Sequence, residues 1–394
     1  MGAYSDRWEY LGAQEKNAAK KLIDEGNIWV WSGELYEDFC TKVSQMSGNR
    51  YVLPVYNGTT ALNIAGFSLN LTAGDEVIIG SYGYMASASP ILTTGATPVF
   101  CDVDRETLTV TSETISRKIT ERTKAIIVAH SWGNPADMVQ IRNLANQTGI
   151  SILSDSSHAH GAFIEKKQLG CWADASCYSM GLGKLVTGGE LGVLTTDDLD
   201  IYERAIAISG VKQTDGLSGL IVKDAVPFKS RPHGLAIAIA NESIDRLKEK
   251  NVLYSRFASE IYCGIRGMDW ISPQKQFLNT DRTYYRIPLI LKDTLSREVV
   301  KQIKEKLRLS KLPYVDDEYG IPLDMWNNIK DLNFMSCDRF SYSKIFKEDN
   351  IPDEYIGHRI IHFWPYAQSD PESLARDIVN ELRYISQEIV KKYA

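Results

Sequence analysis

A chain of 394 residues, 44% hydrophobic and 24% charged, is globular and exceeds what one hydrophobic core usually organises, so two unequal domains are expected. Its net charge of -6 argues against nucleic acid or an anionic membrane as a main partner, and no apolar run is long enough to span a bilayer. The first residues, Met1-Gly2-Ala3-Tyr4-Ser5-Asp6-Arg7-Trp8, lack the basic and apolar regions of a signal peptide, and Cys40, Cys101, Cys171, Cys177, Cys263 and Cys337 include no Cys-x-x-Cys pair, so a cytoplasmic protein with free buried thiols is expected.

In chain order, residues 52–56 form a short apolar strand. After Asn57-Gly58 the spacing of Ala61, Leu62, Ala65 and Leu69 turns helical, with Thr59 as the N-cap. Residues 77–81, 98–103, 125–130, 150–155, 176–180 and 192–196 read as buried strands, most of them separated by helices. One helix starts near Asp137, behind the breaker Gly133-Asn134-Pro135 and with the capping-box pattern Asp137-x-x-Gln140. Such repetition predicts an α/β fold, a mostly parallel sheet covered by helices, in which ligands collect at the carboxyl ends of the strands.

Beyond about residue 250 the texture changes. Residues 284–291 read as a strand and 296–309 as an amphipathic helix, while Asp316-Asp317-Glu318 before Gly320 and Pro322 reads as a polar loop. Ser369-x-x-Glu372 with Pro371 opens a terminal helix that puts Leu374, Ile378, Leu382, Ile385 and Ile389 on one face. The expected division is residues 1–250, an N-terminal arm plus a large domain, and residues 251–394, a smaller α+β domain.

The most informative residue is Lys184, in Ser179-Met180-Gly181-Leu182-Gly183-Lys184-Leu185-Val186-Thr187-Gly188-Gly189. Flanking glycines let the backbone turn sharply and approach a bound group, and a lysine kept from bulk water there can lose its proton and form a Schiff base with an aldehyde. Gly181-Leu182-Gly183 opens like a dinucleotide fingerprint, but Val186 stands where the third glycine belongs. Gly183-Lys184 also fails the phosphate-loop pattern, because Tyr178 replaces the first glycine and Leu185 the Ser or Thr. His158 with His160 lies just after a strand end near Asp155, and His358 with His362 lacks the glutamate of a metalloprotease helix; no metal is expected.

The constellation that survives is Gly58-Thr59, Asp155, Ser179 and Lys184. Amides of Gly58 and Thr59 open a helix N-terminus and attract a phosphate; Asp155 ends an apolar strand, where it can meet a ring nitrogen; Lys184 follows one connection later. Phosphate anchor, pyridinium partner and imine link are what pyridoxal phosphate needs, and a lysine freed during turnover is the obvious base for a substrate Cα proton.

Seven ordered blocks, among them Asn57-Gly58-Thr59-Thr60-Ala61-Leu62, Gly74-Asp75-Glu76-Val77-Ile78, Gly95-Ala96-Thr97-Pro98-Val99, Gly133-Asn134-Pro135-Ala136-Asp137 and Asp155-Ser156-Ser157-His158-Ala159-His160-Gly161, resemble the fold-type-I sugar aminotransferases of the DegT/DnrJ type. The resemblance covers roughly residues 25 to 250 well and the remainder only in general shape. It implies a pyridoxal-phosphate enzyme that moves an amino group from glutamate or glutamine to a ketone on a sugar nucleotide or cyclitol. It also implies Lys184 as the Schiff-base lysine, Asp155 as the pyridinium partner and Tyr84 as the aromatic stacked on the ring. Ser179 and the Gly58-Thr59 backbone then hold phosphate, and His158 stands beside the phenolic oxygen.

The family's phosphate site takes residues from both subunits, so the resemblance implies a homodimer with shared active sites. Where the family commonly has an Asn two residues before an Arg, this chain has Lys229 before Arg231, a flexible point charge in place of an amide. The aromatic loop Ile28-Trp29-Val30-Trp31-Ser32-Gly33 corresponds to a loop near the family's active-site mouth, where indoles suit either a sugar face or a subunit contact. His362, Trp364 and Tyr366 are further candidates. Two alternatives accompany the transaminase: a related sugar dehydratase or other lyase, against which the retained Lys184 counts because those relatives typically carry His there, and a non-catalytic cofactor-binding regulator.

Overall fold

The alternation of apolar side chains along short β-branched runs decides how the sheet is buried. In the computed structural model, which describes residues 11–26, 28, 33–211, 228–315, 356–365 and 371–393, Val77 and Ile79 of one strand enter one core and Ile78, between them, enters another. The first core includes Leu53, Val55, Ala125, Ile127 and Leu153, packed on the helices Gly58–Ser68 and Leu199–Ser209. The second includes Ile126, Val128 and Ile152, packed on the helix Met138–Thr148. A sheet covered on both faces needs apolar residues at every position, and burying each large aliphatic side chain contributes about 1.5–3 kcal/mol.

The strands are β1 (Tyr51–Val55), β2 (Glu76–Gly80), β3 (Thr97–Cys101), β4 (Thr123–Ala129), β5 (Ser151–Asp155), the short β6 (Phe163–Ile164) and β7 (Lys167–Gln168), then β8 (Ala175–Ser179) and β9 (Gly192–Thr196). Seven of them form one sheet in the order β1-β9-β8-β5-β4-β2-β3. The pairs β8-β5, β5-β4, β4-β2 and β2-β3 are parallel, and β9 runs antiparallel to both neighbours. The carboxyl ends of β2, β4, β5 and β8 therefore point the same way, and the side chains that follow them converge there.

The remaining strands are β10 (Ile271–Pro273), β11 (Thr280–Asp281), β12 (Ile287–Leu291), β13 (Tyr314–Val315) and β14 (Ile360–Phe363). Four of these make an antiparallel sheet, β10-β12-β14-β13, and β11 pairs with β6. The helices Leu247–Gly264 and Pro371–Ile385 share the core of this part, an α+β arrangement in which Ile261, Leu289, Phe363 and Ile378 are fully enclosed. Among the described residues, no helix is long and apolar enough to cross a membrane.

Several local expectations change. The N-cap of the helix after β1 is Asn57, whose side chain accepts the Thr60 amide at 2.9 Å, and Thr59 lies inside the helix. The strand expected over 284–291 begins only at Ile287, because the Thr283 amide donates to Gly133 O and the Tyr285 amide to Trp132 O, pairing these residues with a loop of the large sheet instead. The terminal helix ends in a π turn, Ser386–Val390, whose extra residue rotates the face so that Val390 is buried and Ile389 only half-buried. Cys101 and Cys177 are buried thiols, whereas Cys171 and Cys263 are exposed. Trp29, Trp31, residues 316–322, Cys337, Tyr366 and Ser369 lie outside the described residues.

Candidate active site

Strand ends and one helix start build the site. Asp155 is the last residue of β5, Ser179 the last of β8 and Ala129 the last of β4, while Tyr84 follows β2 by four residues. Gly58 opens an eleven-residue helix whose first-turn amides have no partner within the helix. All of these line one cavity of about 410 Å³, together with Thr59, His158 and Lys184. The volume lies in the range of small-molecule sites, roughly 300–1,000 Å³.

Gly58 is there because nothing larger fits: a Cβ on it would stand 2.5 Å from Ser179 Cβ. The helix start is thereby pressed against the end of β8, and amides and the Ser179 side chain face one spot. Asp155, at the end of the neighbouring strand, is buried, its Oδ2 accepting from Ser87 Oγ at 2.5 Å and its Oδ1 from the Ser157 amide at 3.1 Å. Both donors fix the carboxylate's direction.

Lys184 hangs on a tight loop. Gly183 turns at φ 90°, the Lys184 amide donates to Gly181 O at 3.1 Å, and Leu182 and Gly188 make further backbone bonds to Gly189 and Met180. Its Nζ lies 4.4 Å from the centroid of the Tyr285 ring. Burial pushes the amine down to about 8 from 10.5; the Asp155 carboxylate opposes that fall and the Arg286 guanidinium adds to it. Tyr285 also stacks on His158, with centroids 4.1 Å apart and planes 15° from parallel. His158 is held well below its ordinary range by burial first and then by the charges of Lys184 and Arg286, and is neutral near pH 7.

His130 follows β4 and lines the cavity as well. The Ala136 amide donates to its Nδ1 at 3.1 Å, so the ring proton is on Nε2, which reaches Ser154 Oγ at 2.9 Å and through it Ser156 Oγ at 2.8 Å. Burial lowers His130 to about 3, in keeping with this fixed neutral tautomer. Trp132, two residues on, is buried at φ 63° and donates Nε1–H to Tyr82 Oη at 2.9 Å.

Of the residues singled out in the sequence, Gly58, Thr59, Tyr84, Asp155, His158, Ser179 and Lys184 share the cavity. Tyr84 is 58% exposed, at its rim. Lys229 does not line the cavity; it is exposed, at φ 48°, beside Phe228. His160 parts from His158 and packs on Tyr178 at 5.5 Å. His362 and Trp364 lie behind the cavity, His362 4.5 Å from Trp132 and Trp364 5.7 Å from Tyr285. Ser87, His130, Tyr285 and Arg286 line the cavity without having been singled out: Ser87 and His130 belong to no motif, and Tyr285-Arg286 read as ordinary strand.

Set beside known proteins, residues 9–325 match the model of the DegT/DnrJ/EryC1/StrS aminotransferase family. A GDP-perosamine synthase of Escherichia coli O157:H7 is 29% identical over 304 residues, 74% of this chain and 79% of that protein. The pyridoxal-phosphate form of a putative sugar aminotransferase from Streptococcus pneumoniae superposes with a TM-score of 0.81 at 21% identity, covering 96% of this chain and 97% of the other. An E. coli GDP-4-keto-6-deoxy-D-mannose-3-dehydratase superposes at 0.80 and 20% identity over 98% and 99%, so the common fold holds transferase and dehydratase alike. The extent of the family match settles the assignment: the chain belongs to the DegT/DnrJ/EryC1/StrS aminotransferase family.

Proposed function

We propose that the chain is a pyridoxal-phosphate-dependent aminotransferase that moves an amino group from glutamate or glutamine to a ketone on a sugar nucleotide or cyclitol. The carrying observation is that an amine depressed to about 8 and a doubly hydrogen-bonded carboxylate line one cavity with a helix N-terminus. The residues fit the cofactor at three points. Gly58, Thr59 and Ser179 would hold its phosphate, Asp155 would meet its ring nitrogen, and Lys184 is the amine that would meet its aldehyde. When bound, the cofactor supplies that aldehyde and an electron-withdrawing ring that acidifies a substrate Cα–H.

The protein's own part is to bind, orient and move protons. Asp155, steered by Ser87 and Ser157, would keep the cofactor's ring nitrogen protonated. Lys184 Nζ, neutral in appreciable fraction at neutral pH, takes a proton from one carbon and returns it to another. Neutral His158, fixed against Tyr285, offers a hydrogen bond that does not compete as a charge. Tyr84, at the rim, would pack on the cofactor ring, and we assign Lys229 to the phosphate of a second subunit in a homodimer. The division into residues 1–250 and 251–394 belongs to the same reading, as does a cytoplasmic location, where exposed Cys171 and Cys263 stay reduced.

The sugar acceptor is favoured by the similarity to GDP-perosamine synthase, and Lys184 favours transamination over the dehydratase chemistry of a related fold. The test is optical. Purified protein carries a visible absorbance band that glutamate or glutamine discharges and a keto-sugar restores, while Lys184→Ala loses the cycle. Transamination by Lys184→Ala at the native rate overturns the assignment.

A further inference from the structure

Tyr285 lines the cavity next to the reacting amine, and its ring is fixed in place by its neighbours. The Tyr285 amide donates to Trp132 O at 3.2 Å, Trp364 packs edge-on with centroids 5.7 Å apart and planes at 80°, and Trp132 lies nearly parallel at 6.4 Å. The ring stacks on His158 at 4.1 Å, and Lys184 Nζ stands over it, 4.4 Å from its centroid. The other cation nearby, Arg286, lies closer to Trp364, 4.4 Å from that ring against 5.4 Å from Tyr285.

An aromatic face attracts a cation through its quadrupole and gives a neutral amine far less. The contact therefore acts on one protonation state: it holds Lys184 while the amine carries a proton and releases it once the proton has been passed on. A lysine that takes a proton from one carbon and returns it to another is charged between the two events, and its flexible four-carbon stem lets the ammonium wander unless something seats it. We propose that Tyr285 is a positioning residue of the transfer: its ring face seats the Lys184 ammonium between proton uptake and delivery, and its stacking on His158 keeps seat and imidazole in register. The role in turnover rests on the aminotransferase reading, whereas the seat rests on the geometry of the ring. Other charges about the amine are Asp155, at the end of β5, and Arg286. The imidazoles of His158 and His160 are held neutral by burial, Lys250 reaches the same loop at Leu185 O, and Glu190 is an exposed residue of the cavity. All of these stay as they are when only the electron density of the Tyr285 ring is altered.

The experiment places at position 285 phenylalanine, and then phenylalanines carrying one, two and three fluorines, which keep the ring's shape and drain its face of electrons. In the full-length protein without cofactor, trace acetylation of Lys184 followed by mass spectrometry across a range of pH gives the titration of the amine. The titration is expected to move down in steps with each fluorine, by about one pH unit over the series, because the charged form loses its seat. In the holoenzyme, the saturating rate at which glutamate or glutamine discharges the visible band is expected to fall severalfold in the same order, at an unchanged half-saturating concentration. A Lys184 titration that stays flat across the series overturns the seat. A stepped titration with a flat discharge rate overturns its part in the transfer. Should the titration step while the band of the native protein responds to no amino donor, the aminotransferase reading falls and the seat stands.

Discussion

An amine that titrates near 8 instead of 10.5 is protonated below that pH and nucleophilic above it. The rate at which cofactor-free protein captures pyridoxal phosphate is therefore expected to rise about tenfold per pH unit below 8 and to level off above it. Arg286→Met removes a positive charge that holds the amine down, so its plateau should begin at higher pH; rapid-mixing absorbance at a series of pH values checks both. Gly58→Ala makes a different prediction, since its Cβ would press on Ser179 Cβ at 2.5 Å and Cα at 2.9 Å. A loss of about 1–3 kcal/mol in unfolding free energy is expected, with weaker competition by inorganic phosphate for the cofactor site. Lys184 and Asp155 were legible in the sequence because their neighbours are unusual, glycines around one and an apolar strand before the other. Ser87 and Arg286 were not, since what makes them matter is a partner 68 residues away for Ser87 and, for Arg286, a Trp132 ring brought near by folding.

Elements hold that lysine in place from behind. Lys250, in the helix Leu247–Gly264, is almost wholly buried and donates to Leu185 O at 2.7 Å, while Ser243 Oγ accepts the Thr187 amide at 3.1 Å. Burial first, and then the nearby Arg246 charge, lowers Lys250 to about 8, with Glu15 opposing. The unfolded chain binds the Lys250 proton up to its ordinary 10.5, so the cost of burying the charge is full below pH 8 and relieved as pH rises from 8 to 10.5. Denaturant titrations should therefore show the stability of native protein relative to Lys250→Met growing by about 1–3 kcal/mol across that window. A difference that stays flat would mean Lys250 is not depressed. Strands of the large sheet were readable to within a residue or two because burial on both faces leaves continuous apolar runs. The segment before β12 was misread for the opposite reason: its side chains suit a strand, but its amides are taken by Trp132 and Gly133, a pairing that no local pattern announces.

At the scale of the whole molecule, the cavity opens beside the exposed side chains of Tyr84, Leu182 and Glu190. Tyr84 and Leu182 line it at 58% and 64% exposure, and Tyr56, adjacent to cavity residues Asn57 and Gly58, donates its amide to Ser230 O, beside exposed Phe228 and Lys229. In the homodimer proposed above, a partner chain would cover this mouth, and the two-fold axis would repeat that contact on both subunits. Light scattering should give twice the chain mass, and a fully active monomer would contradict the shared site. Hybrid dimers test it more sharply. If Lys229 serves the partner's cavity, a dimer of one Lys184→Ala chain with one Lys229→Ala chain contains one site built from a native Lys184 and a native Lys229, and one site with neither. Random exchange of the two variants makes half the dimers hybrid, so activity should recover to roughly a quarter of native. If Lys229 acts only within its own chain, every site in the mixture lacks one lysine or the other, and exchange raises activity no further than the average of the two parents.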